Sequence, residues 1–348
     1  MKLAIHDRKN SFSDRWIDYC KKNNIEYKLV NCYSNDIVNQ LSDCNGLMWH
    51  WDLNDYKSSL FAKQLTISLE MGGLKVYPSS NTAWHYDDKV GQKYLLEAIH
   101  APLVPSVIFY TKKDAIEWVA SATFPKVFKL RGGAGSVNVR LVHNRRIAKK
   151  LIKKAFGTGF KSSNKMGDFK DRVLWNFRNK PNLNNLMSLI KGLLKLVIKT
   201  EKDRLGNIEK GYIYFQDFLP NNDFDSRLIV IGNKCFAVRR HNRKNDFRAS
   251  GSGVKSYKPE LFDEIIIRHA YKISQELGSQ SMAYDFIYDN GVAKLVEISY
   301  CFVIGEFYDN CPGYWDKELN WHTGPINPQN FIIEDFIHEL EKDVKVKY

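Results

Sequence analysis

The chain has 348 residues, 52 Lys and Arg against 39 Asp and Glu, a net charge of +13, and 44% hydrophobic residues. That length can bury a substantial core in two or three lobes, and no apolar run is long enough to span a bilayer. The opening MKLAIHDRKN has no signal-peptide core, and Cys20, Cys32, Cys44, Cys235, Cys301 and Cys311 lack metal spacing. They read as reduced thiols, which points to a cytoplasmic protein.

The first eighty residues alternate strand and helix: KLAIHD, a helix over 14–23, IEYKLVN, a helix over 35–41, GLMWHW, a helix over 56–71, and KVYPSS. This alternation predicts a small parallel α/β lobe over 1–84. Ligands of such lobes bind beyond the carboxyl ends of the strands. Here those ends carry His6-Asp7 and Trp49-His50-Trp51-Asp52, either part of a substrate wall or interdomain packing by two indoles.

Asp88-Lys89 opens the next helix, and PKVFKLRGGAGSVNVRLV over 125–142 reads as strand, glycine loop, strand. Lys129 ends the first strand, and Gly132, Gly133, Gly135 and Ser136 lie in the loop. Backbone N–H groups of such a loop can close on phosphate oxygens. No Gly-Lys-Ser/Thr closes it, and a strand rather than a helix follows. It is therefore neither a P-loop nor a dinucleotide fingerprint, and a glycine hairpin clamping phosphates fits better.

From Arg145 to Lys210 there are 18 Lys and Arg against 5 Asp and Glu, which accounts for the whole net charge of +13. The stretch reads as a basic insertion, and LNNLMSLIKGLLKLVIK over 183–199 as an amphipathic helix with Lys191, Lys195 and Lys199 along one side. Packing with solvated lysines, contact with an anionic membrane surface and capture of an acidic substrate are its three readings. Nucleic acid is a further reading, weakened because the basic residues are not interleaved with surface aromatics or any recognisable reading motif.

YIYFQDFLP over 212–220 is a strand running into a connection, followed by Asp223, Asp225 and Arg227 and a strand pair across Gly232-Asn233 that carries Arg239 and Arg240. KNDFRASGSG then places Arg248 before a second Gly/Ser loop. SMAYDFIYDNGVAKLVEISY over 281–300 is a hairpin around Asp289-Asn290-Gly291. A three-residue loop sets Asp285 opposite Glu297 and predicts a buried face of Tyr284, Phe286, Val296 and Ile298, leaving Asp285, Glu297 and Ser299 together. Two adjacent carboxylates repel unless a cation lies between them, and magnesium takes such oxygens. Tyr308, Tyr314, Trp315, Trp321 and His322 follow, and residues 330–342 predict a closing amphipathic helix.

In this order the pieces resemble the ATP-grasp superfamily, and within it the branch of ribosomal-protein glutamate ligases. The resemblance runs over residues 85–300 through Asp88-Lys89, Lys129 with the glycine loop, Gln216-Asp217-Phe218-Leu219, Asp225-Ser226-Arg227, DFRAS at 246–250, Asp285 and Glu297-Ile298-Ser299. Ser250 and Ser299 stand where such enzymes carry Asn, and offer an oxygen with shorter reach. The implied fold is α/β: an N-terminal parallel lobe, a lid and central domain over 85–215, and a C-terminal domain over 216–348, with ATP held between two antiparallel-sheet lobes.

The resemblance also implies roles. Lys89 and Lys129 neutralise phosphates, Gln216 to Leu219 offer backbone bonds to adenine, and Asp223 or Asp225 takes the ribose. Asp285, Glu297 and Ser299 hold two Mg²⁺ ions. Arg227, Arg239 and Arg248 stabilise charge during phosphoryl transfer. The reaction implied joins a carboxylate to an amine through an acylphosphate, consistent with a sequence that has no Gly-x-Ser-x-Gly, Cys-x-x-Cys or His-Glu-x-x-His. A kinase or a nucleotide-binding module without chemistry are the alternatives.

Residues 297–321 and 87–98 also resemble ATP-grasp proteins of bacterial surface-polysaccharide synthesis. That implies an amino acid joined to a sugar or uronate, free or lipid-linked. The tail aromatics would then wall the acceptor pocket or simply cover the core.

Overall fold

The computed structural model describes residues 1–53, 55–133, 139–161, 173, 204–242, 246–248, 253–303 and 305–346. The elements run in the order β1 Lys2–His6, α1 Phe12–Lys22, β2 Glu26–Val30, α2 Ile37–Gln40, β3 Gly46–Met48, α3 Tyr56–Met71, β4 Lys75–Tyr77 and α4 Ser80–Ala83. Then come α5 Lys89–Ala98, β5 Ser106–Phe109, α6 Lys112–Ser121, β6 Lys126–Lys129, β7 Arg140–Val142, α7 Arg145–Ala155, β8 Phe160–Lys161, β9 Ile208–Glu209 and β10 Ile213–Asp217. The C-terminal part holds β11 Phe224–Ile231, β12 Lys234–His241, β13 Lys255–Ser256, α8 Glu264–Leu277, β14 Ser281–Asp289, β15 Val292–Ser299, α9 Glu306–Asp309, β16 Gly313–Trp315, β17 Trp321–Thr323 and α10 Pro328–Val346.

The first four strands form a parallel sheet in the order β2-β1-β3-β4, as the alternating pattern predicts. Apolar residues at helical spacing explain α1, whose Phe12, Trp16, Ile17 and Cys20 are buried. The chain separates into two compact units. One unites residues 1–86, 95–102 and 221–348; the other holds 87–94 and 103–220. The first unit therefore joins the N-terminal parallel sheet to the C-terminal antiparallel sheet β15-β14-β11-β12-β16-β17, with β13 on β12.

One core runs through this unit, from Leu3, Ile5 and Met48 to Ile229, Phe236 and Phe336. Arg15 of α1 adds polar ties to the tail, donating to Asp309 at 2.8 and 2.5 Å and to Gln329 at 2.9 Å. The second unit is the antiparallel sheet β5-β10-β6-β7 under α6 and α7. Phe128, Val142, Ile213 and Phe215 face Ala115, Val119, Leu151 and Ile152 across its core. Thr111 and Asn144 cap α6 and α7 by accepting from Asp114 N and Ile147 N.

Residues 145–155 are thus a core helix of the second unit rather than the start of an insertion, because their apolar positions fall on one face. The expected helix over 183–199 lies outside the described residues. Among the described residues no helix is long and apolar enough to cross a membrane.

Candidate functional site

The hairpin β14–β15 turns on two residues, not three: Asp289 pairs with Val292, and Asn290 and Gly291 both have positive φ, 47° and 83°. That turn alone would set Asp285 opposite Val296. A bulge intervenes, since Phe286 pairs with Leu295 and Asp285 with Glu297, so Val296 is the extra residue. Leu295 therefore takes the buried place expected of Val296, at 0% exposure beside Phe286, while Val296 is half-buried. The cross-strand pair of carboxylates arises from turn plus bulge.

On the neighbouring strand Arg227 pairs with Asp285, and across β11–β12 Asp225 pairs with Arg240. Arg227 donates through Nε and Nη2 to the two Asp285 oxygens, both at 2.6 Å. Arg240 holds Asp225 in the same bidentate way at 2.7 and 2.6 Å, and its Nη2 lies 3.0 Å from Asp285 Oδ2. The result is a largely buried chain Asp225–Arg240–Asp285–Arg227 across three strands, its side chains 10–18% exposed, continued by Glu297 on the fourth. Burial pushes the Asp285 carboxyl up, but the Arg227 and Arg240 guanidiniums outweigh it and hold the group well below the usual carboxylate range.

Arg239 pairs with Ser226 and not with the carboxylates. Side chains alternate along β12, so it points to the opposite face from Arg240. Its guanidinium lies 3.8 Å over the Phe224 ring and donates to the Leu261 carbonyl. The arginine on the carboxylate face is Arg240, because the register sets it opposite Asp225. Arg248 is clasped by Asp246 at 3.0 and 2.7 Å, while Ser250 beside it lies outside the described residues. Asp223 sits at the entry to β11, its carbonyl accepting from Asn242 N at 2.8 Å. Ser299 donates to the Cys301 carbonyl at 2.7 Å.

The remaining candidates belong to the second unit. Lys89 and Lys129 are 7% and 6% exposed, unusual burial for an ammonium group. Lys89 Nζ donates to the Gly133 carbonyl at 2.7 Å, its backbone N–H bonds Arg131 O, and Asp87 accepts from Gly133 N at 2.6 Å. The start of the glycine loop is thereby stitched to the start of α5. Gly133 has φ 116°, which a side chain would strain, and a Cβ at Gly132 would lie 3.1 Å from Asp87. Asp87 is a residue that loop composition does not reveal. Gly135 and Ser136 lie outside the described residues.

In the Gln216–Leu219 segment, Gln216 is buried and donates to Ser106 Oγ at 3.2 Å, and Asp217 meets Lys126 at 2.6 Å. Strand β10 ends at Asp217, so Phe218 and Leu219 are the part that has left the ladder.

At the carboxyl ends of the parallel strands, His50, Asp52 and Cys301 gather with ligand atoms within 4.8 Å of one another. The hydrogen bonds argue against a metal there. The Phe12 backbone N–H donates to His50 Nδ1 at 3.2 Å, so the ring proton sits on Nε2, which faces Cys301 Sγ at 3.3 Å. Arg8 already occupies Asp52 Oδ2 at 2.8 Å. His50 thus serves as a remote cap of α1. Burial pulls it down to about 3, in keeping with a neutral ring. Trp49 and Trp51 are each 1% exposed and act in packing. Tyr308 and Trp315 are likewise buried, whereas His322 is exposed and stacks on Tyr314.

No family model and no curated protein matches the sequence. Among solved structures, the chain is similar to the D-cycloserine synthetase DcsG, with a TM-score of 0.57 and 11% identity over 98% of this chain and 100% of that one. It is similar to the D-alanine–D-alanine ligase of Bacillus anthracis, with a TM-score of 0.55 and 11% identity over 99% of both chains. It is also similar to a RimK-domain ATP-grasp protein of Sphaerobacter thermophilus, with a TM-score of 0.50 and 14% identity over 86% of this chain and 90% of that one. The chain has the ATP-grasp fold.

Proposed function

We propose that the protein is an ATP-dependent carboxylate–amine ligase that attaches an amino acid to a sugar or uronate in bacterial surface-polysaccharide synthesis. The observation that carries the ligase reading is the carboxylate pair Asp285–Glu297 set beside the paired guanidiniums of Arg227 and Arg240 on one sheet face. Acids and fixed cations side by side suit phosphoryl transfer, where positioning and charge neutralisation do the chemistry. Structures of similar fold include a D-alanine–D-alanine ligase and a D-cycloserine synthetase, whose names support bond formation of this class. The polysaccharide setting rests on the sequence resemblance of residues 87–98 and 297–321.

Magnesium fits the donor chemistry: Asp285, Glu297 and Ser299 supply oxygen only. Asp285 shares its carboxylate with two guanidiniums, so Glu297 is the principal candidate ligand. When bound, the ion would neutralise phosphate charge. Lys89 and Lys129 would add fixed positive charge toward phosphates, and Arg227 and Arg240 would hold their orientation through their carboxylate partners. In the overall reaction the substrate carboxylate displaces ADP from the γ-phosphoryl group, the amine displaces phosphate from the acyl carbon, and the amine proton leaves to solvent.

The test is ADP and phosphate release from Mg-ATP over a panel of amino acids and uronic-acid sugars, alone and in pairs, with Glu297→Gln alongside. Release should require both a carboxylate and an amine, and should fall at least about a hundredfold in the variant. Release without any amine would point instead to a kinase.

A further inference from the structure

Six of the eleven residues of α7 are Lys or Arg and none is acidic. Ala148, Leu151, Ile152 and Ala155 are buried, which leaves Arg145, Arg146, Lys149, Lys150, Lys153 and Lys154 exposed on the outer side. At about 100° per residue the six sweep a continuous half of the helix surface over roughly 15 Å. Among the described residues none of them forms an ion pair. The arrangement is unfavourable for the helix itself. Like charges four apart repel, and Arg145 and Arg146 occupy the first turn, where the helix dipole disfavours cations. Burial of the other face holds the helix in place; within the fold, Lys154 lies 4.9 Å over the Phe160 ring, and Lys153 and Lys154 stand in the last turn, where the dipole favours cations.

We propose that this face of α7 docks on the anionic surface of a lipid bilayer. Clusters of four to eight basic residues on an amphipathic helix suit anionic headgroups. The outward residues are Lys, Arg and, at the rim, Ile147, which is 36% exposed. No aromatic ring on this face offers a stacking platform for bases. Because the apolar side of α7 is committed to the core, attachment is by charge alone, reversible and sensitive to salt. This inference is independent of the ligase reading.

The experiment is co-sedimentation of the full chain with vesicles of phosphatidylcholine, with and without about 30% phosphatidylglycerol, at about 0.1 and 0.5 M salt. Binding should need the anionic lipid and vanish at the higher salt. Lys149→Gln/Lys150→Gln/Lys153→Gln, which relieves repulsion within the helix and so leaves it folded, should weaken binding about a hundredfold. The control Lys21→Gln/Lys22→Gln/Lys258→Gln makes the same change in net charge at exposed positions away from α7, and should stay within about threefold. No binding to anionic vesicles, or equal loss in both variants, overturns the proposal. So does a short DNA duplex that the protein binds more tightly than the vesicles and that the α7 triple variant releases, since that assigns the face to nucleic acid.

Discussion

Strand parity decides which of two adjacent arginines faces the carboxylates. Arg240 lies among Asp225 and Asp285, whereas Arg239 is sandwiched against Phe224. Lysine cannot reproduce a bidentate fork. Arg240→Lys should therefore lower ADP release about a hundredfold, and Arg239→Lys should leave it within about threefold; equal losses in steady-state assays would remove the distinction. Arg227, Asp285 and Glu297 were singled out in the sequence, but the choice between Arg239 and Arg240 was not legible, because it depends on the register of β11 against β12.

His50 carries a second prediction at this scale. Its folded pKa lies far below the ordinary value, so the unfolded chain takes up the proton more readily. The stability it contributes is complete above about pH 6.5 and is lost progressively as the pH falls toward about 3, at up to about 1.4 kcal/mol per pH unit. Urea unfolding at several pH values should show this slope in the parent and a shallower one in His50→Gln, whose amide oxygen can still accept from Phe12 N. Identical slopes would refute a His50 ring held neutral by burial.

At the scale of the element, the hairpin shows what a period-two pattern can and cannot give. Alternation in SMAYDFIYDNGVAKLVEISY points correctly to an acid pair, yet either a three-residue loop or a two-residue loop with a bulge produces it. The bulge puts Leu295 in the core and Val296 at its edge. Leu295→Ala should cost about 3 kcal/mol and Val296→Ala less than about 1 kcal/mol in chemical unfolding. The reverse order would restore the three-residue loop. The glycine-rich segment stood out by composition, but Asp87, which accepts from Gly133 N, lies 46 residues upstream and leaves no local signal.

For the whole molecule, the N-terminal parallel lobe was readable because each strand and helix keeps its own period. The grouping into two units was not, since it depends on contacts between distant segments such as Arg15 with Asp309 and Trp16 with Gln329. Reading in contiguous blocks also made α7 part of an insertion, although its buried face belongs to the core of its unit. The fate of one oxygen atom distinguishes ligation from other routes of ATP cleavage. With the carboxylate substrate that supports ADP release labelled with ¹⁸O, formation of an acylphosphate and its displacement by the amine transfers one labelled oxygen to inorganic phosphate, visible as an isotope shift in ³¹P NMR. The account predicts that shift in the parent and no labelled phosphate with Glu297→Gln. Phosphate released by the parent without label would contradict it.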